Sequence, residues 1–255
     1  MCKPVCSRKL VLAASCGVVA LAASSASATF SDPFLRVRVS SANGMGEFAV
    51  PLMDVTINPN GSAIWILPAP VNITDGPNTI ATLTQITAFA RPLSGSLPNL
   101  ISIGFTFRAG AADTTFEIDS TLFGIAPIID EGASCTAGAT ITDQNGNGAT
   151  LTGANPSGQA FLSAYNGQGV AGTQFCSVID NLATAPGGSA NQNTTMPGGG
   201  LFTPIGDVQD MSTRWHFTLS GSDQVAGTSA FNIIPGPGAL SILALGGLVA
   251  SRRRR

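Results

Sequence analysis

Ile101-Ser102-Ile103-Gly104-Phe105-Thr106-Phe107-Arg108 alternates apolar and small or polar residues with a period of two. Successive side chains of a strand point to opposite faces, so this octet reads as a half-buried strand with one face on a core and the other in water. The same alternation places Leu35, Val37 and Val39 between Arg36, Arg38 and Ser40, and Trp215, Phe217 and Leu219 between Arg214, His216, Thr218 and Ser220. Further strands are expected at 47–57, 63–67, 79–89, 114–123, 137–142, 148–152, 159–165, 173–179 and 225–234. Turn chemistry separates them: Asn58-Pro59-Asn60-Gly61, Asp75-Gly76-Pro77-Asn78, Asn145-Gly146 and Asn166-Gly167, because Gly and Asn accept positive φ and Pro interrupts ladders. No part of residues 29–233 sustains a 3.6-residue apolar period. The expected fold is all-β, an antiparallel β-sandwich, jelly-roll-like or Ig-like. Residues 185–200, poor in apolar side chains, are expected to form a long exposed loop.

The two ends read as addresses. Lys3, Arg8 and Lys9 precede an apolar run from Leu10 to Ala23, followed by Ala26-Ser27-Ala28. This is the pattern of a secretory signal peptide over residues 1–28, with signal peptidase cutting between Ala28 and Thr29. At the other end, Ile234-Pro235-Gly236-Pro237-Gly238 leads into the apolar stretch Ala239 to Ser251 and then Arg252-Arg253-Arg254-Arg255. The proline pair keeps a helix from running in out of the domain. A 13-residue helix from Ala239 to Ser251 reaches only about 20 Å into a hydrocarbon core of ~30 Å. The arginines stay on the cytoplasmic side. Residues 234–255 are thus expected to hold the chain at the membrane while it is read and cut.

This tail resembles the PEP-CTERM sorting signal. The resemblance implies an exosortase-like processing enzyme as partner, with Ile234, Pro235, Gly236 and Pro237 as the motif and Arg252, Arg253, Arg254 and Arg255 as the basic cluster. Gly236 stands where that family usually carries glutamate, which makes this a Pro-Gly-Pro variant. The destination implied is the cell surface or extracellular matrix, with transient or permanent membrane association through the C-terminal helix. Exopolysaccharide enters as a candidate partner.

Between the two ends stand five arginines (Arg36, Arg38, Arg91, Arg108 and Arg214), no lysine and all 14 acidic residues. Five positive against 14 negative charges leaves −9. Nucleic-acid binding rests on Lys and Arg neutralising phosphates, so nucleic acid is excluded as a partner. Removal of residues 1–28 leaves two cysteines, Cys135 and Cys176, and an isolated pair in an exported chain is expected to form a disulfide.

Candidate chemistry is sparse. Asp143, Asn145, Asn147 and Gly148 match the opening of a calcium loop, in which alternate oxygens surround one ion. Ala154 occupies the position of the closing bidentate glutamate, so Asp130 or Glu131 would have to complete the shell. The competing reading is a hairpin turn at Asn145-Gly146 joining 137–142 to 148–152. No other cofactor is expected. His216, the sole histidine, would have to be the base of any Ser-His-Asp machinery. It falls on the polar face of its strand, is expected to face solvent, and has no Gly-x-Ser-x-Gly elbow to serve. Glu117 with Asp119, and Asp130 with Glu131, are the carboxylate pairs available for glycoside hydrolysis. Trp65, in the apolar run 63–67, is expected in the core. No catalytic residue is assigned. The chain reads as a non-enzymatic surface or matrix protein, then as a carbohydrate- or calcium-binding module, and last as a secreted hydrolase.

Overall fold

The computed structural model describes residues 29–94, 97–128 and 131–235, with side chains 126–128 excepted. Period-two alternation becomes strand nearly everywhere. In chain order the strands are β1 (Thr29–Phe30), β2 (Leu35–Ser41), β3 (Gly44–Val50), β4 (Thr56–Ile57), β5 (Ala63–Ile66), β6 (Val71–Asp75), β7 (Asn78–Arg91), β8 (Asn99–Ala109), β9 (Thr114–Ser120) and β10 (Phe123–Ile128). They continue with β11 (Glu131–Thr142), β12 (Thr150–Gly153), β13 (Phe161–Tyr165), β14 (Thr173–Val178), β15 (Leu182–Ala183), β16 (Ser189–Met196), β17 (Thr203–Ile205), β18 (Val208–Leu219) and β19 (Gln224–Ile234).

These strands form two antiparallel sheets, the layers of a sandwich. The first runs β1-β10-β18-β9-β2-β3, with β12 and β13 also pairing with β18, and β15 and β14 outside them. The second runs β16-β11-β19-β8-β7-β5-β4, with β17 on β11 and β6 on β7. The inner faces share one core. Trp215 of β18 is fully buried, lies 5.2 Å edge-on to Phe105 of β8 and 5.1 Å from Phe161 of β13, and donates its indole N–H to Ser229 Oγ of β19 at 3.1 Å. Phe107 stacks on Phe116 across the sheets at 5.6 Å. Each such buried side chain contributes roughly 1.5–3 kcal/mol. Gly227 makes room for this packing, since a Cβ there would come within 2.3 Å of the Phe105 ring.

The expected disulfide is formed. Cys135 of β11 and Cys176 of β14 are bonded, with Cα atoms 7.0 Å apart, and the bond joins one sheet to the other. Among the described residues no helix is long and apolar enough to cross a membrane. Of the address segments, Thr29 opens β1, Ile234 closes β19 and Pro235 follows it. Ala26, Ala28, Gly236, Pro237 and Arg252 to Arg255 lie outside the described residues.

Four expectations need correction. Residues 185–200 are not one long loop, because Ser189–Met196 pairs residue for residue with β11, from Cys135↔Met196 to Thr142↔Ser189. An edge strand needs few apolar residues, and here only its inner face touches the core, through Ala190. Residues 47–57 do not form one strand: β3 ends at Val50, and a 3₁₀ turn, Leu52–Asp54, precedes β4. Asn145-Gly146 does not close a hairpin, since β11 belongs to the second sheet and β12 to the first. The turn instead carries the chain between layers. Trp65 is only partly buried and packs at the core's margin, 5.7 Å from Phe48.

Candidate functional site

The outward side chains of β3, β2, β9 and β18 bring most of the described charge of the first sheet into two rows. Register sets one row as Glu47–Arg38–Glu117–His216 and the next as Ala49–Arg36–Asp119–Arg214. Opposite charges face each other along and across the rows, the favourable arrangement for cross-strand pairs. Arg38 donates Nη1 to Glu117 Oε1 at 2.8 Å and brings Nη2 to 3.6 Å from Asp119 Oδ2. Arg214 donates Nε to Asp119 Oδ1 at 2.9 Å and Nη2 to Glu117 Oε1. Arg36 approaches Glu47 through Nε at 3.4 Å. Two guanidinium groups thus clasp the Glu117–Asp119 pair that the sequence placed on one strand face.

Burial and pairing pull the titrations in different directions. At Glu117 burial works to raise the carboxyl, but Arg214 and Arg38 together outweigh it and hold the group below its ordinary value. Asp119, whose side chain is 8 % exposed, goes the other way: desolvation, aided by neighbouring Glu117, outweighs Arg214 and raises it. His216 is lowered, first by burial and then by Arg214, against the pull of Glu117 and Asp119. His216 lies on the outward face of its strand, as expected, beside the open cleft that Glu117 also lines. It is half-buried, and backbone bonds from its N–H to Ala160 and from Ala154 to its carbonyl fix its strand in place.

Two clefts flank this network, sharing Arg38. One, of about 290 Å³, is lined by Arg36, Arg38, Arg214, Asp119, Ser120 and Gln168, with Asp32 and Val170 at its rim. The other, of about 390 Å³ and more open, contains Met45, Glu47, Glu117 and His216.

Asp143 lies apart, where the chain changes sheets. Its Oδ1 accepts the N–H groups of Asn145 and Gly146, and its Oδ2 those of Gly148 and Gly187. Gly148 and Gly187 present these N–H groups from left-handed backbone, at φ +93° and +72°, a region glycine enters without a steric cost. Those four amides hold the carboxyl well below the ordinary carboxylate range, Gly187 contributing most. Asn145 Oδ1 accepts from Asn147 N–H, and its Nδ2 donates to the Gly221 carbonyl. The oxygens aligned by the calcium-loop pattern are thus turned toward amides. Glu131 cannot complete a shell here: it begins β11 while Asp143 follows its last residue, a separation of roughly 35–40 Å along the strand. Asp130 lies outside the described residues. Among the described residues no group of three or more His, Cys, Asp or Glu side chains is placed to hold a metal ion.

No family model matches the chain, and no curated protein matches it. Solved structures do. The enzymatically active domain of bacteriophage CBA120 tailspike protein 4 aligns at 14% identity and a TM-score of 0.26, covering 72% of this chain and 20% of its own. The chain therefore spans about a fifth of that tailspike chain. The K3 cleaved adhesin domain of Lys-gingipain from Porphyromonas gingivalis w83 aligns at 10% identity and a TM-score of 0.25, covering 52% of this chain and 74% of its own. A cyclase from Fischerella sp. TAU aligns at 12% identity and 0.23, covering 71% and 89%. Likeness at this level carries no functional argument.

Sequence reasoning found Glu117, Asp119 and His216 but missed Arg36, Arg38, Arg214 and Glu47 as their partners. The pairs join residues 79 and 97 positions apart. The available signal was complementary charge at alternate positions of three strands: Arg36/Arg38, Glu117/Asp119 and Arg214/His216.

Proposed function

We propose that this is an exported, sorted protein of the cell surface or extracellular matrix with a non-catalytic structural or interaction role. The observation that carries the reading is the buried disulfide between the two sheets, which suits an oxidising compartment and agrees with a leader-like N-terminus. The PEP-CTERM-like tail, through Ile234, Pro235, Gly236, Pro237 and the terminal arginines, supplies the sorting step by an exosortase-like enzyme. The ion-paired state of Glu117 and Asp119 supports a non-catalytic role, because general acid–base work needs a carboxyl group within reach of substrate rather than clasped by two guanidiniums. We read the sandwich as jelly-roll-like rather than Ig-like, a reading supported by the first sheet, where strands distant in sequence are neighbours, as with β9 between β2 and β18. Deleting residues 234–255 and measuring the protein's intact mass and cell fraction tests this. The expected result is release from, or loss of, its normal location with signal removal unchanged, and an unchanged location would overturn the sorting step.

A second reading, a carbohydrate-binding module, is favoured by one observation: the arginine-lined cleft on the first sheet.

A further inference from the structure

The cleft formed by Arg36, Arg38 and Arg214 holds three of the five arginines between residues 29 and 233, in a stretch that is otherwise strongly acidic. Their donors are not all used. Arg38 turns its donors to Glu117, Asp119 and Glu47, and Arg214 its Nε and Nη2 to Asp119 and Glu117, whereas Arg214 Nη1 and both Nη groups of Arg36 make no hydrogen bond with any described residue. Arg36 touches a carboxylate only through Nε, at 3.4 Å from Glu47. A planar fork with two open N–H directions matches a carboxylate, which accepts two parallel hydrogen bonds.

The rest of the lining is not suited to a bare anion. Asp32, exposed at the rim, accepts the Leu52 N–H on Oδ1 only, and its other oxygen would repel an anion but accept hydroxyl protons. Val170, 52% exposed on the 3₁₀ turn Gly169–Ala171, supplies an apolar wall. Gly169 of that turn faces Arg214, since a Cβ there would stand 3.6 Å from Arg214 Cδ, and its N–H is fixed by Ser212 Oγ at 3.0 Å. The wall and Arg214 are therefore neighbours, with Ser212 of β18 holding the turn beside them.

We propose that this cleft binds a sugar acid, its carboxylate on the Arg36 fork, a hydroxyl on Asp32 and a C–H face of the ring against Val170. The proposal deepens the carbohydrate-binding reading and rests on it. The chain's overall negative charge does not forbid such a ligand, because salt limits the reach of exposed charges to about 8 Å at physiological ionic strength.

Calorimetric titration of the full chain with D-galacturonate tests this, with glucose and acetate as controls. Saturable galacturonate binding with a Kd of about 1 mM or tighter is expected, with glucose and acetate each at least about tenfold weaker. Arg36→Gln should weaken galacturonate at least about tenfold. Val170→Glu, which leaves every arginine in place, should weaken it comparably and decides the matter if Arg36→Gln fails to fold. Absence of galacturonate binding overturns the proposal, as does equal binding of acetate (an anion site only), equal binding of glucose, or unchanged binding by the folded variants. Trigalacturonate separates the two sources of this chemistry: tighter binding than the monomer assigns the site to a residue within a polymer, and equal binding to a free sugar acid. Binding by purified protein does not depend on sorting, so a negative titration leaves the tail-deletion result standing, and the reverse also holds.

Discussion

The two outer faces of the sandwich obey the same alternation and have little else in common. On the first sheet the outward positions of β2, β9 and β18 carry Arg36, Arg38, Glu117, Asp119, Arg214 and His216, linked across strands. On the second, the row Asn193–Gly138–Thr228–Gly104–Thr87 crosses five strands without a charge. A groove of about 270 Å³ runs over it, lined by hydroxyl, amide and glycine positions together with Phe105 and Ala226. A polar outer residue therefore says only that water is near. What that face does depends on whether neighbouring strands offer complementary charges, and this is a property of register rather than of any single strand.

Breaking what joins the layers should have the largest effect. Trp215→Ala removes the aromatic hub of the shared core together with its bond to Ser229, and should cost about 3–5 kcal/mol in denaturant unfolding. Replacing Cys135 and Cys176 together by alanine should cost roughly 2–4 kcal/mol, read the same way. A loss below about 0.5 kcal/mol would mean that the sheets hold together without the bridge.

The faces themselves come next. Arg214→Met leaves Glu117 and Asp119 sharing Arg38 alone, and should destabilise by roughly 2–3 kcal/mol at neutral pH, since both carboxylates are largely shielded from solvent. Thr228→Ala, at the matching central position of the uncharged face, should change stability by no more than about 0.5 kcal/mol. Equal effects would erase the contrast between the two faces.

Acid titration gives the smallest and most local effect. Asp143 is depressed in the folded protein, so the native state binds fewer protons than the unfolded chain, and its contribution is present at neutral pH and lost as pH falls below about 4. His216 is also lowered, so its contribution declines as pH falls through about 6.5. Asp119 is raised and acts in the opposite sense, favouring the folded state as pH falls from its elevated value toward about 4. Asp143→Asn should therefore flatten the loss of stability below pH 4, and His216→Gln should flatten the shallower slope below 6.5. Both are read from melting temperature against pH. Unaltered slopes would show that neither group senses the fold.

Much of the fold was legible because burial imposes a period of two wherever a strand has one dry face. That signal located β2, β8, β18 and β19 and supplied the odd and even positions of Arg36, Glu117 and Arg214. It failed at β16, where Ser189 to Met196 has almost no apolar side chain and is held by backbone pairing with β11, a bond to which composition is nearly blind. It failed again at Asn145-Gly146, because a turn motif reports local φ and ψ but not which sheet the next strand joins. The candidate site was half visible. Its carboxylates and histidine stand out as titratable groups, whereas the arginines that complete it become neighbours only once β2, β9 and β18 are laid side by side.

That strand order also constrains how the molecule is assembled. β18 and β19, the last two strands of the described chain, lie in the interior of their sheets: β18 between β10 and β9, β19 between β11 and β8. A polypeptide delivered N-terminus first presents every flanking strand before either central one arrives. Neither layer can close until residues 208–234 slot in, and until then the inner edges of β8, β9, β10 and β11 have no ladder partner. Closure of both layers is thus held back to the end of delivery by long-range pairing.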